Sequence, residues 1–482
     1  MNKNLLLYPL VLALFAVGLY AALEQGRKLQ APPPPLAASQ PAAAAANSAP
    51  GLEPAASLVA YLPQHYQDPL TRLLGQLILI VVVTRLCGAL ARKVSQPAVI
   101  GEMIAGILLG PSLVGWLWPG VFNFIFPPAS LGTLRMLSQI GVCLFLFVVG
   151  MDLDLKELKN QAHTAVLVSN VGVLFPYLLG VTVSLFLFPV FGVPNTKFLA
   201  FALFLGISMS ITAFPVLARI LEERGMTKTP LGSTALACAA TDDVMAWSVL
   251  AVVVAIVKAG GLASAFLSVG LVLVFIAVMV FWIKPRLPGW VGHAVLDGGV
   301  PNKGVMAGVL VFLFASALVT DVIGIHALFG AFLAGVVMPR RGEFREVLKE
   351  RLEHFSSVFL LPLFFAFTGL RTQIGLLNEP SAWLICLGLI ILATVGKLGG
   401  AMFTARLTGV NWHDSFALGA LMNSRGLIEL VALNIGYDLG ILSPAMFTML
   451  VIMALVTTCL TGPLLSLSEA LRDRKAPAVS TA

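Results

Sequence analysis

The chain has 482 residues, 58% of them hydrophobic and only 11% charged, with a formal net charge of +7. Soluble domains carry about a quarter charged residues, so a soluble fold around one core is excluded. A nucleic-acid partner is not expected either. Lys and Arg sit in short loops between apolar runs, without a basic face, and read as a topology signal.

Residues 1–30 hold an apolar stretch, Leu5 to Leu23, behind Lys3. It reads as an anchor helix or a signal peptide, with the anchor favoured because the run is long and the small-x-small cleavage pattern is weak. Residues 31–69 form an Ala/Pro-rich linker that cannot build a core. From Ala31 to Pro63 it contains no Lys or Arg, which fits an external location.

Residues 70–465 form a transmembrane domain. Crossing a core of ~30 Å takes about 20 apolar residues, and thirteen such spans follow the linker. They fall near Leu70–Ala91, Pro97–Leu117, Thr133–Gly150, Ala162–Phe188, Phe198–Leu221, Leu231–Val257 and Gly261–Ile283. The others are Gly304–Val319, Gly324–Met338, Phe355–Leu370, Ala382–Ala405, Ser415–Ile435 and Ala445–Leu465. Residues 466–482 are a short tail. Arg92/Lys93, Lys156/Lys159, Arg224/Lys228, Lys284/Arg286/Lys303, Arg340 to Arg351, Arg406 and Arg472 to Lys475 fall on one side. That side, with the C-terminus, is expected to be cytoplasmic. The five cysteines lie inside apolar runs without a CxxC pair and read as packing residues.

Ionisable residues at membrane depth are costly and mark functional sites. The sixth span contains Thr241-Asp242-Asp243, with Asp242 close to the bilayer midplane. Desolvation and mutual repulsion keep two adjacent carboxylates from ionising freely, so a proton and a cation compete for the same oxygens. The fifth span carries Ser208-Met209-Ser210-Ile211-Thr212-Ala213-Phe214-Pro215. Pro215 lacks an N–H and clashes with the carbonyl of Ile211, so freed carbonyls and hydroxyls there can line an ion site. The twelfth span has a matching interruption, Asn423-Ser424-Arg425-Gly426, followed by Glu429, which is spaced to neutralise Arg425. Two breaks seven spans apart imply two inverted six-helix repeats joined by a linker helix, with discontinuous helices crossing at a midplane site. Lys397, in the middle of the eleventh span, should face carboxylates rather than snorkel. Glu102 reads equally as a second polar site or a packed acid, and His326 as a packing histidine. Metal-ligand clusters, a P-loop and a hydrolytic triad are absent from the sequence, so neither an enzyme nor a cofactor is expected.

From about Leu70 to Leu465 the chain resembles the second family of monovalent cation:proton antiporters, which includes Kef-type and plant cation/proton exchangers. The resemblance rests on Ile100-Gly101-Glu102 through Gly106-Ile107-Leu108-Leu109-Gly110-Pro111-Ser112, Thr212 to Leu217, and Thr241-Asp242-Asp243. It continues with Gly324 to Gly335, Leu361-Pro362-Leu363-Phe364-Phe365, and Asn423 to Leu427, in that order. It implies an all-α polytopic fold like that of sodium/proton antiporters, split into a dimerisation domain and a core domain. The position matching Asp243 is then the shared cation or proton ligand, and the one matching Asp242 varies. An acid at Asp242 with a lysine at Lys397 looks like the electrogenic members. The segment after Leu465 is too short for the regulatory tails of Kef-type and plant relatives, and the N-terminal helix with its linker departs from the usual pattern.

The expectation is a homodimeric antiporter of Na⁺ or K⁺ against H⁺, working in pH homeostasis across a bacterial plasma membrane and embedded in its lipid. Asp242 and Asp243 would hold the cation, with Thr212 and Thr241 beside them. Lys397 would act as counter-charge or proton carrier, and Ser210, Pro215, Asn423, Ser424, Arg425 and Glu429 would build the broken-helix frame. A cation-coupled organic-anion symporter and a gated cation channel are the alternatives.

Overall fold

The computed structural model describes residues 3–32, 68–152, 162–258, 262–292, 301–324, 326–339 and 344–473. Most of the Ala/Pro-rich linker, Lys156, Lys159, Arg340, Arg341, Arg474 and Lys475 lie outside the described residues. Among those described the structure is helical throughout, apart from an isolated bridge between Gly192 and Leu442. This is what lipid demands, since a helix satisfies its backbone hydrogen bonds within one segment.

Of the described α-helices of ten residues or more, the first nine are α1 (Lys3–Gly26), α2 (Pro69–Lys93), α3 (Ala98–Leu109), α4 (Pro128–Asp152), α5 (Ala162–Phe191), α6 (Phe198–Ser210), α7 (Phe214–Glu223), α8 (Pro230–Lys258) and α9 (Leu262–Ala277). The remaining eight are α10 (Lys303–Ile323), α11 (Ala327–Val337), α12 (Phe344–Phe355), α13 (Leu361–Arg371), α14 (Pro380–Leu407), α15 (Trp412–Met422), α16 (Leu427–Asp438) and α17 (Pro444–Asp473). Their ends follow local chemistry. Asp68 caps α2 through the Thr71 amide, with Pro69 at the first helical position. Asn302 caps α10 and Asn411 caps α15 in the same way. Gly324, at φ +96°, closes α10 with a left-handed residue.

Among the described residues, ten helical segments are long and apolar enough to cross a bilayer, and the pair α15 and α16, bent by 41°, makes an eleventh. Helix α9 continues without a break through Val278–Ile283, whereas Ala327–Val337 is a shorter apolar helix. The thirteen expected spans are therefore not all realised as full-length helices. Helix α11 shows why: its 11 residues rise about 16 Å, half of a bilayer core. It starts only after the His326 cap and stops before Pro339. Conversely, α17 runs on to Asp473, past the expected end of the last span.

The helices sort into two bundles. In the first, α2 lies on α3, α3 on α13, and α4 on α11 and α13, with α10 against α11. In the second, α5 packs on α6, α8 and α14, while α15 and α16 pack with α17. Helix α9 follows α8 and reaches back to α10. Helix α1 lies on the second bundle through α5 and α6, with Phe15 against Tyr177.

The first bundle is held by close backbone approach, which small residues permit between membrane helices. Where α3 crosses α13, a Cβ on Gly106 would stand 2.4 Å from the Ala366 carbonyl oxygen, and one on Gly369 would stand 2.4 Å from the Gly106 carbonyl carbon. Gly106→Val should therefore separate these helices, with a cost of about 1–3 kcal/mol typical of overpacking. The expected outcome is a lower melting temperature of the detergent-purified protein. Gly270→Ala, on a glycine with open space around it, should leave melting unchanged.

Candidate functional site

Both interrupted helices lie in the second bundle, and their interruptions meet. Pro215 sits in the first turn of α7, where its missing N–H costs nothing. The chain before it, from Ile211 to Ala213, leaves helical geometry and separates α6 from α7. Between α15 and α16 the residues Asn423 to Gly426 form the second break. The Ala213 amide donates to the Ser424 carbonyl at 3.1 Å, joining one break to the other.

The end of α6 presents carbonyls that no helical partner can satisfy, at the negative end of the helix dipole. Two cations meet them. Arg425 donates from Nη1 to the Ser208 carbonyl at 2.8 Å and from Nη2 to that of Met209 at 2.7 Å. Lys397 Nζ donates to the Ser210 carbonyl at 2.6 Å. The Arg425 backbone is tied to α17 by the hydroxyl of Thr458, at 3.0 Å from both its amide and its carbonyl.

The two aspartates differ in their surroundings although they are adjacent in sequence. Lys397 Nζ lies 2.7 Å from Asp242 Oδ2, and both side chains are wholly buried. Thr212 Oγ1 stands 2.6 Å from the same oxygen and 3.0 Å from the Met422 carbonyl, two acceptors for one proton. The Ser169 hydroxyl donates to Asp242 Oδ1. Asp242 is thus neutralised by a lysine and satisfied on both oxygens. Asp243 faces the start of α7, where the Phe214 amide hydrogen-bonds to its carboxylate. Its Oδ1 is buried with no hydrogen-bond partner among the described residues. A helix N-terminus favours negative charge, so this carboxylate has electrostatic support and one oxygen to spare.

Other expected residues take different places. The Ser210 carbonyl meets Lys397, whereas its hydroxyl bonds back to Ile207. Thr241 bonds back to the Ala237 carbonyl of its own helix and stays out of the cluster. Asn423 donates to the Thr457 carbonyl, and its Oδ1 and the Ser424 hydroxyl have no hydrogen-bond partner among the described residues. Glu429 lies 3.4 Å from Arg425, but the shorter bonds of that arginine go to backbone carbonyls. Glu102 is buried on α3 in the other bundle. Ser169 was not singled out from sequence. Its signal was the polar pair Ser169-Asn170 in the first half of the span.

Among the described residues, no group of three His, Cys, Asp or Glu side chains could hold a metal. The chemistry on offer is that of hard oxygens and one transferable charge. A spare carboxylate oxygen at a helix start can take a proton or a small cation, beside an ion pair that can open or close. Removing one partner of a buried pair costs about 3–5 kcal/mol, while removing both is far milder. Lys397→Met should accordingly lower the thermal stability of the purified protein markedly. Adding Asp242→Asn to Lys397→Met should restore most of the loss in the same melting assay.

Comparison with known proteins places this geometry in context. The family model described as sodium/hydrogen exchanger, transmembrane, matches residues 78–467. The Na(+)/H(+) antiporter NhaS4 of Synechocystis is 41% identical over 398 residues, covering 82% of this chain and 97% of that protein. The K(+)/H(+) antiporter 1 of Saccharomyces cerevisiae is 35% identical over 433 residues, covering 87% of this chain but 49% of its own length. Among solved structures, the sodium proton antiporter MjNhaP1 of Methanocaldococcus jannaschii superposes with a TM-score of 0.58 at 15% identity, covering 84% of this chain and 99% of that one. That likeness is one of fold.

Proposed function

The chain belongs to the sodium/hydrogen exchanger family, and on that footing we propose that it is a secondary active antiporter exchanging Na⁺ or K⁺ for protons by alternating access. One observation carries the reading: two adjacent carboxylates are buried where two broken helices cross, one paired with Lys397 and the other keeping an unpartnered oxygen. Asp243 is the principal exchange ligand, and Asp242 is the second carboxylate. Thr212 and the oxygens of Asn423 and Ser424 are the further hard donors of the break. The cation is substrate here, not a resident cofactor.

Electrogenic exchange follows from the lysine. When a cation takes up both carboxylates, the pair between Lys397 and Asp242 opens, and Lys397 can release its proton alongside the one leaving Asp243. Two protons then move against one cation, with a net transfer of one charge. Each 100 mV adds about 2.3 kcal/mol to the driving force, enough to shift the cation gradient roughly fifty-fold. Movement of the second bundle against the first supplies the alternation. The first bundle, whose α2 exposes the apolar row Leu74, Ile78, Val82 and Leu86, is taken as the homodimer face. The loop charges support a bacterial plasma-membrane protein with its C-terminus inside.

Reconstitution into proteoliposomes with an internal pH indicator tests the assignment. Adding Na⁺ or K⁺ should drive proton movement in the wild type, and Asp243→Asn should abolish it while the melting temperature is kept. Near-wild-type exchange in Asp243→Asn would remove the aspartate from its role. A channel or an organic-anion symporter would show no counterflow driven by a pH gradient. The voltage dependence is tested separately: an inside-negative potential should speed proton entry. Exchange indifferent to potential would mean one proton per cation. Orientation is read from a cysteine replacing Glu346, which a membrane-impermeant maleimide should label only after the cells are permeabilised.

A further inference from the structure

A second group of charges lies away from the aspartates, at the ends of α10 and α16 remote from Lys303 and from the break. A cavity of about 310 Å³ opens there between the two bundles, lined by Arg135, Cys143, Lys258, Asp321, His326 and Asp438, with others. His326, expected to be a packing residue, caps α11 by accepting from the Leu328 amide and borders this cavity. Asp438, the last residue of α16, is gripped from the other bundle on both oxygens. Arg135 of α4 reaches Oδ2 at 2.9 Å, and Arg371 of α13 reaches Oδ1 at 2.7 Å.

The Arg371 side of this grip is well built. Its guanidinium lies over Phe367 at 4.4 Å and over Tyr437 at 5.2 Å, and it donates to Asn434 Oδ1 at 3.0 Å. Asn434 in turn donates to the Thr368 hydroxyl at 2.9 Å. Every one of these links except the Phe367 contact joins α13 to α16, that is, the first bundle to the second. Side-chain exposures of 16% for Arg371 and 15% for Asp438 leave the pair less screened than a surface pair. A planar arginine fork suits such a partly buried carboxylate. Helix α16 also begins at the break that meets α6, so a force on Asp438 acts on the same rigid element that frames the site.

We propose that this cavity is the outer end of the cation path and that Asp438, clamped by Arg135 and Arg371, is the latch that closes it. This rests on the alternating-access reading above. Displacing the second bundle against the first cannot occur while Asp438 is held, and its release leaves a carboxylate in the cavity wall that attracts an entering monovalent cation. Asp438 is thus a positioning residue, acting through bundle geometry rather than as a ligand of the central site.

Cys143 lines the cavity and is buried, which provides a native reporter. The test labels the protein in nanodiscs, where both faces are accessible, with a neutral water-soluble maleimide, keeping Cys143 as the only cysteine. Labelling should be slow with the latch intact. It should rise by about tenfold or more, the change that ~1.4 kcal/mol of lost preference produces, in both Asp438→Asn and the double variant Arg135→Gln/Arg371→Gln. Opposite charge changes with the same effect separate opening of the latch from an altered local field. A parallel protein keeping only Cys386, buried between α14 and α17 beside Met449, should stay unlabelled in every variant. Unchanged Cys143 labelling, a rise confined to one charge change, or equal labelling of Cys386 would each overturn the latch. Labelling requires no transport, so loss of the antiporter reading in the exchange assay and loss of the latch are told apart.

Discussion

Breaking a helix at membrane depth exposes carbonyls and amides that lipid cannot satisfy, and much of the second bundle follows from that constraint. Three successive carbonyls end α6, and each receives a cationic donor from another helix: Ser208 and Met209 from Arg425, Ser210 from Lys397. The positive charges are therefore placed by the break as much as by the acids. Once Lys397 is committed to the Ser210 carbonyl, an acid within reach of it lowers the cost of burying the charge, and Asp242 occupies that position at 2.7 Å. Asp243, one residue further along α8, is carried round the helix away from the lysine and meets the amide start of α7 instead. Asp242 thus meets the cation held at the carbonyl end of α6, and Asp243 meets the amide start of α7.

The same constraint gives the two bundles different mechanical characters. The first bundle brings helix backbones together through glycines such as Gly106 and Gly369, a contact that tolerates little sliding because carbonyls and not flexible side chains set the separation. The second is tied internally by polar bonds at and beside the breaks: Ser169 of α5 and Lys397 of α14 bond to Asp242 of α8, Lys397 also to the Ser210 carbonyl, and Thr458 of α17 to the Arg425 backbone. At the seam between the bundles polar side chains join α13 to α16, Arg371 to Asn434 and Asp438, and Asn434 to Thr368.

Much of this was legible in the sequence because lipid makes polar residues conspicuous. Asp242, Asp243, Lys397 and the motifs around Pro215 and Gly426 stood out against apolar runs, and the fold class followed from their order. Three kinds of information were less legible. Which further neighbours a buried cation takes depends on backbone carbonyls that carry no residue signal: Arg425 does lie 3.4 Å from Glu429, as its spacing implies, but its shorter bonds to Ser208 and Met209 have no sequence signal. Hydroxyls such as Ser169 and Thr241 cannot be told apart by composition, since either can bond back to its own helix; one reaches Asp242 and the other does not. Helix length is the third. An apolar run counts as a span by composition, but a cap such as His326 shortens the helix inside it.

The choice of arginine at one carbonyl pair and lysine at the next separates structure from exchange. Arginine stays protonated at any pH a cell reaches and spreads its charge over a fork that can hold two carbonyls at once. Arg425 does this, at 2.8 and 2.7 Å, so the end of α6 keeps a permanent counter-charge whatever happens at the acids. Lysine presents a single point charge and can give up its proton when its surroundings change. Lys397 divides that charge between the Ser210 carbonyl and Asp242. Were the two residues exchanged in kind, an arginine beside Asp242 would lock the acid as a fixed ion pair, and a lysine alone could not span two carbonyls. A stable frame and a labile charge can share one helix crossing because these two cations are different residues.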